Sequence, residues 1–271
     1  QEGFSSEREF KRGGRMSITA QFLFVAASGA RAMERKLESV TNNIANVDTT
    51  GYKREGVKFS TIYVPLTQPP PSKPGQPHPV GYIPTYNLVL NYAGSSENVI
   101  YMEQGALRET GNKLDFAIEG KGFFVVEDDK GNRFLTRDGS FKVDSQGFLR
   151  NNSGFYVLGT GGQRIRVGSF SDLYVSEDGR IYSQGDEVGK FLIVEQPVKE
   201  RVGHNLWVYD EREAKISETS KVYQGFLEDS NVNVVYEMVK MIEAHREFDA
   251  NLNVIKAGDE LLASLNDFGR V

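Results

Sequence analysis

The stretch NVVYEMVKMIEAHREFDANLNVIKAGDELLASL, Asn233 to Leu265, decides the fold. Within it Val234, Met238, Met241, His245, Phe248, Leu252, Ile255, Asp259 and Leu262 recur at steps of four and three, the a/d spacing of a coiled-coil seam. Val235, Ile242, Leu261 and Leu265 flank that seam and widen it, so the helix offers more apolar surface than one partner helix covers. Asn233 is placed to cap the first turn, Glu237 to complement the helix dipole, and Gly269 to stop the helix. The plainer alternative is a core helix of an ordinary globular domain.

The other end of the chain repeats the theme. Thr19, Leu23, Ala26, Ala30, Met33, Leu37, Val40, Ile44 and Val47 follow the same steps through Ser17 to Val47. The run Ala26, Ala27, Ser28, Gly29 and Ala30 predicts close approach to another helix on more than one side. Two long amphipathic helices thus bracket the sequence. Residues 1–15 are charged and lack a helical period, so they read as a tag, a processed leader or an overlong start ahead of Met16. The apolar run Phe22 to Ala27 is too short for a Sec-type signal, and export without one is expected.

Between the helices the pattern changes twice. Pro65, Pro69 to Pro71, Pro74, Pro77, Pro79 and Pro84 predict an extended arm within 48–97, either a stiff surface connection or a proline-rich ligand. From 98 to 222 the period becomes alternating, with strands expected at Lys113–Glu127, Asn132–Val143, Gly147–Arg150, Phe155–Leu158, Leu173–Val175, Arg180–Tyr182 and Phe191–Glu195. Asp138-Gly139, Gln146-Gly147, Asp178-Gly179 and Gln184-Gly185 mark the turns. The fold class is α+β: two long terminal α-helices (16–47 and 223–271) forming a coiled-coil-like assembly domain, plus a central antiparallel β domain.

Little in the chain points to chemistry. Hydrophobic residues at 39% and charged residues at 25% exclude a disordered or membrane-inserted chain, and a net charge of -5 without a basic run argues against nucleic acid. Cysteine is absent, which removes disulfides, thiol catalysis and cysteine-bound metal. His78, His204 and His245 have no metal-ligand spacing, and Gly120-Lys121-Gly122 lacks the following helix that a phosphate-binding loop requires. Its glycines read as turn and bulge geometry. No catalytic residue, cofactor or metal is expected.

Four separated motifs carry a resemblance. They are Asn42-Asn43-Ile44-Ala45-Asn46 with Thr50-Gly51-Tyr52; Asp115 to Phe124, containing Gly120, Gly122 and Phe123; Thr136-Arg137-Asp138-Gly139-Ser140-Phe141; and Gln224 to Asn233, containing Ser230, Asn231 and Val232. In this order they resemble the bacterial flagellar rod and hook proteins, over Met16 to about Leu265.

The resemblance implies a structural subunit of the basal-body rod, the axial shaft that passes motor torque to the hook. It also implies partners: other copies, other rod and hook proteins, and the flagellar type III export apparatus. The expected location is the periplasmic part of the basal body. The assembly interface would then be the helical seams, from Leu23, Ala26, Ala30, Met33, Leu37, Val40 and Ile44 to Val234, Met238, Met241, His245, Phe248, Leu252, Ile255 and Leu262. Both proximal-type and distal-type rod subunits fit the pattern. Two alternatives stand beside this reading: a hook-type axial protein, and a β-rich periplasmic enzyme or binding module whose helices pack only on its own core.

Overall fold

The computed structural model describes residues 18–65, 89–168, 172–198, 201–203, 205–217 and 219–268. The expectations for residues 1–15, for most of the proline-rich arm and for a stop at Gly269 lie outside the described residues. Among the described residues there are two helices, α1 (Ile18–Ala45) and α2 (Val234–Phe268), and the strands lie between them. The chain divides into two units. One comprises residues 1–38, 57–98 and 240–271, and the other residues 39–56 and 99–239.

In the first unit, α1 and α2 run antiparallel. Leu23 meets Gly258, Gly29 meets Asn251, and the Lys36 ammonium lies 3.7 Å from the Glu247 carboxylate. A Cβ on Gly258 would stand 2.7 Å from Leu23 Cδ2, so the helices are closer than a side chain at that position permits. Here the structure departs from the expected seam. The inward row of α2 reads Met241, Ala244, Phe248, Asn251, Ile255, Gly258 and Leu262, with Ala244 fully buried. His245 and Asp259 are exposed, and Leu252 is half-buried. Every second seam position is shifted by one residue; at Gly258 the reason is close approach, since a side chain there would meet Leu23 of α1. Most of the paired strands Glu55–Pro65 and Val89–Ile100 also belongs to this unit.

The second unit is built on a nine-stranded antiparallel sheet. Its path runs Arg201–Gly203, Leu206–Val208, Arg133–Thr136, Phe123–Glu127, Tyr156–Val157, Leu149–Asn151 and Phe141–Val143, while Ile193–Glu195 also pairs with Phe123–Glu127 and with Lys215–Ile216. Side chains on a strand alternate between faces, and Phe123–Glu127 buries both. Phe124 and Val126 enter one cluster with Phe116, Phe141 and Phe191; Phe123 and Val125 enter another with Leu135, Leu158 and Trp207. Phe124 meets the Phe141 ring edge-on at 5.2 Å.

Several boundaries differ from the expected ones for local reasons. Lys113–Glu127 is split into Phe116–Glu119 and Phe123–Glu127, because Gly120 and Gly122 take positive φ and turn the chain. Lys221–Gln224 pairs with Phe116–Glu119 and crosses the expected division at 222/223. Phe226–Glu228 pairs with Leu107–Glu109. Both late strands carry charged ends and only three or four residues, too short for alternation to register. No helix among the described residues is long and apolar enough to cross a membrane.

Candidate functional site

The end of α1 is set by side chains that bond to the local backbone. Asn46 donates from its side-chain amide to the Asn42 carbonyl, and its own carbonyl oxygen accepts from the Thr49 hydroxyl. The chain then turns through Gly51 at φ 65°. A Cβ there would lie 2.5 Å from the Arg137 carbonyl carbon, so the turn seats against the β unit only as glycine. This delivers Tyr52 and Lys53 into the interior, at 2% and 0% exposure.

Lys53 finds its counter-charge 175 residues away. Its ammonium lies 2.5 Å from Glu228 Oε1 and also donates to the Glu103 carbonyl at 2.8 Å. The Gly105 amide donates to the same Oε1, and Arg137 Nη1 reaches Glu228 Oε2 at 3.0 Å. Arg137 Nη2 is held by the Gly120 carbonyl at 2.7 Å. Two cations thus share one buried carboxylate, with the Glu103, Ile118 and Gly120 carbonyls as further acceptors, while Arg137 Nε is buried without a hydrogen-bond partner. Burial pushes the Lys53 ammonium below its usual value, and Glu228 opposes that shift.

Asn43 forms a second knot. Its amide nitrogen donates to the Glu55 carbonyl at 2.7 Å and to Glu237 Oε2 at 3.1 Å, while its oxygen accepts from the Glu55 amide at 2.8 Å and the Tyr52 hydroxyl at 3.2 Å. All four capacities of the amide are used, which neither Asp nor Gln could reproduce in that space. Glu237 itself is buried in the first turn of α2, where Asn233 caps the Tyr236 amide at 3.0 Å. Asn231 also bridges separate segments, since its oxygen accepts from the Arg54 amide and its nitrogen donates to the Tyr101 and Glu103 carbonyls. Burial raises the Tyr52 hydroxyl above its ordinary value, against the Arg201 guanidinium beside it.

Beside these knots is a polar recess of about 520 Å³ lined by Asn42, Asn46, Tyr52, Asp138, Arg201 and Asn205 among others. Its lining contains no histidine and no nucleophile held by a base. Glu228 accepts from three donors, Lys53, Gly105 and Arg137, and so ties three separate segments together. Among the described residues, no group of acidic residues or histidines is placed to hold a metal ion.

The expected motif residues separate into three groups. Asn43, Gly51, Tyr52, Gly120 and Asn231 meet in the junction just described. Gly122, Phe123, Phe141 and Val232 are buried, and Asp138 accepts from the Ser140 amide and hydroxyl in a tight turn. Gly139 is required there because a Cβ would collide with the Phe116 carbonyl. Ala45 is exposed; Asn46, Thr50 and Ser230 are half-buried. Of the expected interface residues, Ala26, Ala30 and Val40 are buried. Leu23, Met33, Leu37, Ile44, Val234, Met241, Phe248, Leu252, Ile255 and Leu262 are half-buried, and Met238 and His245 exposed. Sequence reasoning missed Lys53, Arg137, Glu228 and Glu237 as site residues. Lys53, Arg137 and Glu228 each have a charged neighbour, Arg54, Asp138 and Asp229, so nothing in the sequence singled them out.

The segments that converge here are also those matched by three family descriptions. Residues 23–53 match the flagella basal body rod protein, 117–183 the flagellar hook protein FlgE/F/G D1 domain, and 223–268 the flagellar basal body rod FlgEFG protein C-terminal. Along most of its length, the chain is 33% identical over 268 residues to the flagellar basal-body rod protein FlgG of Buchnera aphidicola subsp. Baizongia pistaciae, covering 90% of this chain and 98% of the relative. The chain belongs to the flagellar basal-body rod protein family. Among its other relatives in that family, FlgF of Rhizobium meliloti is 31% identical over 84% of this chain and 88% of its own length. FlgG of Bacillus subtilis is 28% identical over 92% and 98%. Similarity at this level to both FlgF and FlgG extends across both rod-protein types.

Proposed function

We propose that this rod-family chain is a non-enzymatic structural subunit that assembles with copies of itself and with other rod and hook proteins into the axial shaft carrying motor torque to the hook. The observation that carries this reading is the outer face of α2. Val235, Tyr236, Met238, Val239 and Ile242 stand exposed close together in sequence, and Val254 and Leu261 continue the apolar surface. An apolar surface of this kind on a long helix is what a further helix would cover. Burying each large side chain contributes about 1.5–3 kcal/mol, enough for a few of them to decide whether a subunit is incorporated. The half-buried seam residues Leu37, Leu252 and Ile255 would tighten as neighbours arrive.

Val239→Asp with Ile242→Asp is the direct test, because both side chains are exposed and their loss leaves the interior of the chain untouched. The double variant is expected to unfold at the wild-type temperature and to be missing from purified basal bodies. Normal flagella built with it would refute the assignment. Export through the flagellar type III apparatus into the periplasmic rod belongs to the same proposal. It predicts that secretion stops in a strain lacking that apparatus; continued secretion there would count against it.

A further inference from the structure

We propose that Glu228 is the closing residue of the second unit, so that this unit cannot complete its fold until residues 39–56 and 226–237 are both in place. Lys53 and Arg137, 0% and 3% exposed, share its carboxylate. Removing the C-terminal segment would leave Lys53 and Arg137 buried against carbonyl groups alone, where uncompensated charge is strongly disfavoured. Removing the N-terminal segment would leave Arg137 and Glu228 paired but would take away the backbone donors that the Glu228 carbonyl and the Asn231 side chain accept from.

The backbone around the pair follows the same rule. The Gly51 amide donates to the Glu228 carbonyl at 2.7 Å, the Arg54 amide to Asn231 Oδ1 at 2.7 Å, and the Glu55 amide to Asn43 Oδ1 at 2.8 Å. The Gly51 and Arg54 donors have their acceptors on the C-terminal segment, while the Glu55 bond to Asn43 closes the N-terminal segment on itself. Closing a loop of 175 residues adds little entropy beyond a shorter loop, since that cost grows only logarithmically. The decisive step is the burial of Lys53 and Arg137, and it cannot be taken by a chain that lacks Glu228. For a subunit exported as proposed above, the unit would stay open until its C-terminal segment had emerged. The closure itself rests on this chain alone.

Native-state amide exchange on the full chain in increasing urea tests it. The amides of Gly51, Arg54, Glu55 and Gly105 are expected to open with the same free energy and urea dependence as those of Val125 and Leu158 in the sheet. In Glu228→Gln both groups should exchange faster together, by at least about 100-fold. Independent opening of residues 51–55 while Val125 and Leu158 remain protected, in either protein, overturns the proposal. If Glu228→Gln does not fold, the triple variant Lys53→Met, Arg137→Met, Glu228→Leu leaves no charge to bury and is expected to recover the folded unit. Its failure would also overturn the proposal, since packing rather than the shared carboxylate would then join the segments.

Discussion

The side chains of Asn43 and Glu237 meet at 3.1 Å although 194 residues separate them in the chain. One sits at the end of α1 and the other in the first turn of α2, so a single hydrogen bond ties together the inner ends of both helices.

Asn43→Asp should be among the most damaging conservative changes. It would replace two donated hydrogen bonds by a carboxylate facing the Glu237 carboxylate and the Glu55 carbonyl, at a cost of about 3 kcal/mol or more. Asn46→Ala, at the more exposed end of the helix, should cost only about 1 kcal/mol. Urea midpoints of the two variants measure the difference; equal losses would show that the Asn43 amide is not held as described.

Two glycines with similar φ should respond differently to alanine. Gly111, at φ 70°, has open space around its Cβ position, so Gly111→Ala should cost only the left-handed backbone penalty of about 1–2 kcal/mol. Gly51→Ala meets the Arg137 backbone at 2.5 Å as well and should cost at least about 3 kcal/mol. Thermal unfolding of the pair is sufficient to compare them.

Stability should carry two opposed carboxylate contributions below neutral pH. Burial raises the Asp138 carboxyl above 3.8, against the opposing hydrogen bonds from Ser140. Its folded form therefore holds a proton more tightly than the unfolded chain, and its contribution is present below 3.8 and lost as pH rises through the folded value. Asp128 and Asp178 behave in the opposite sense. Hydrogen bonds from Asn132 and Ser176 hold them below 3.8, so their contribution is present above that value and lost as pH falls through the folded one. Asp138→Asn should therefore be more favourable to stability at pH 7 than at pH 3, as read by denaturant titration at both values. A larger gain at pH 3 would contradict the assigned sign.

The outer parts of the helices should be the least protected regions of an isolated subunit. Between residues 240 and 264 only Ala244 is fully buried, and a helix in water needs packing to offset roughly 1–2 kcal/mol of backbone entropy per residue. Amide exchange in dilute monomer should therefore be fast across 240–264 and slow at Val125 and Leu158. Equal protection would mean that the helix pair is stable without neighbours.

Much of this was decided locally and could be read from the chain. The four-three steps require two amphipathic helices, Asn233 caps the second because its side chain reaches the Tyr236 amide, and alternating residues with Gly-bearing turns require antiparallel strands. Those features depend on neighbours a few residues away. Which stripe of α2 turns inward did not, because Met238 and His245 are as compatible with the period as Glu237 and Ala244. The tertiary structure settled it: a Cβ on Gly258 would meet Leu23 of α1 at 2.7 Å, and Ala244 on the same row is fully buried. The separate motifs were visible as well, but their meeting was not. Lys53, Arg137 and Glu228 each stand beside other charged residues in the sequence, and only the tertiary fold selects these three for the interior and brings them within hydrogen-bonding distance, where Glu228 is the shared counter-charge of both cations.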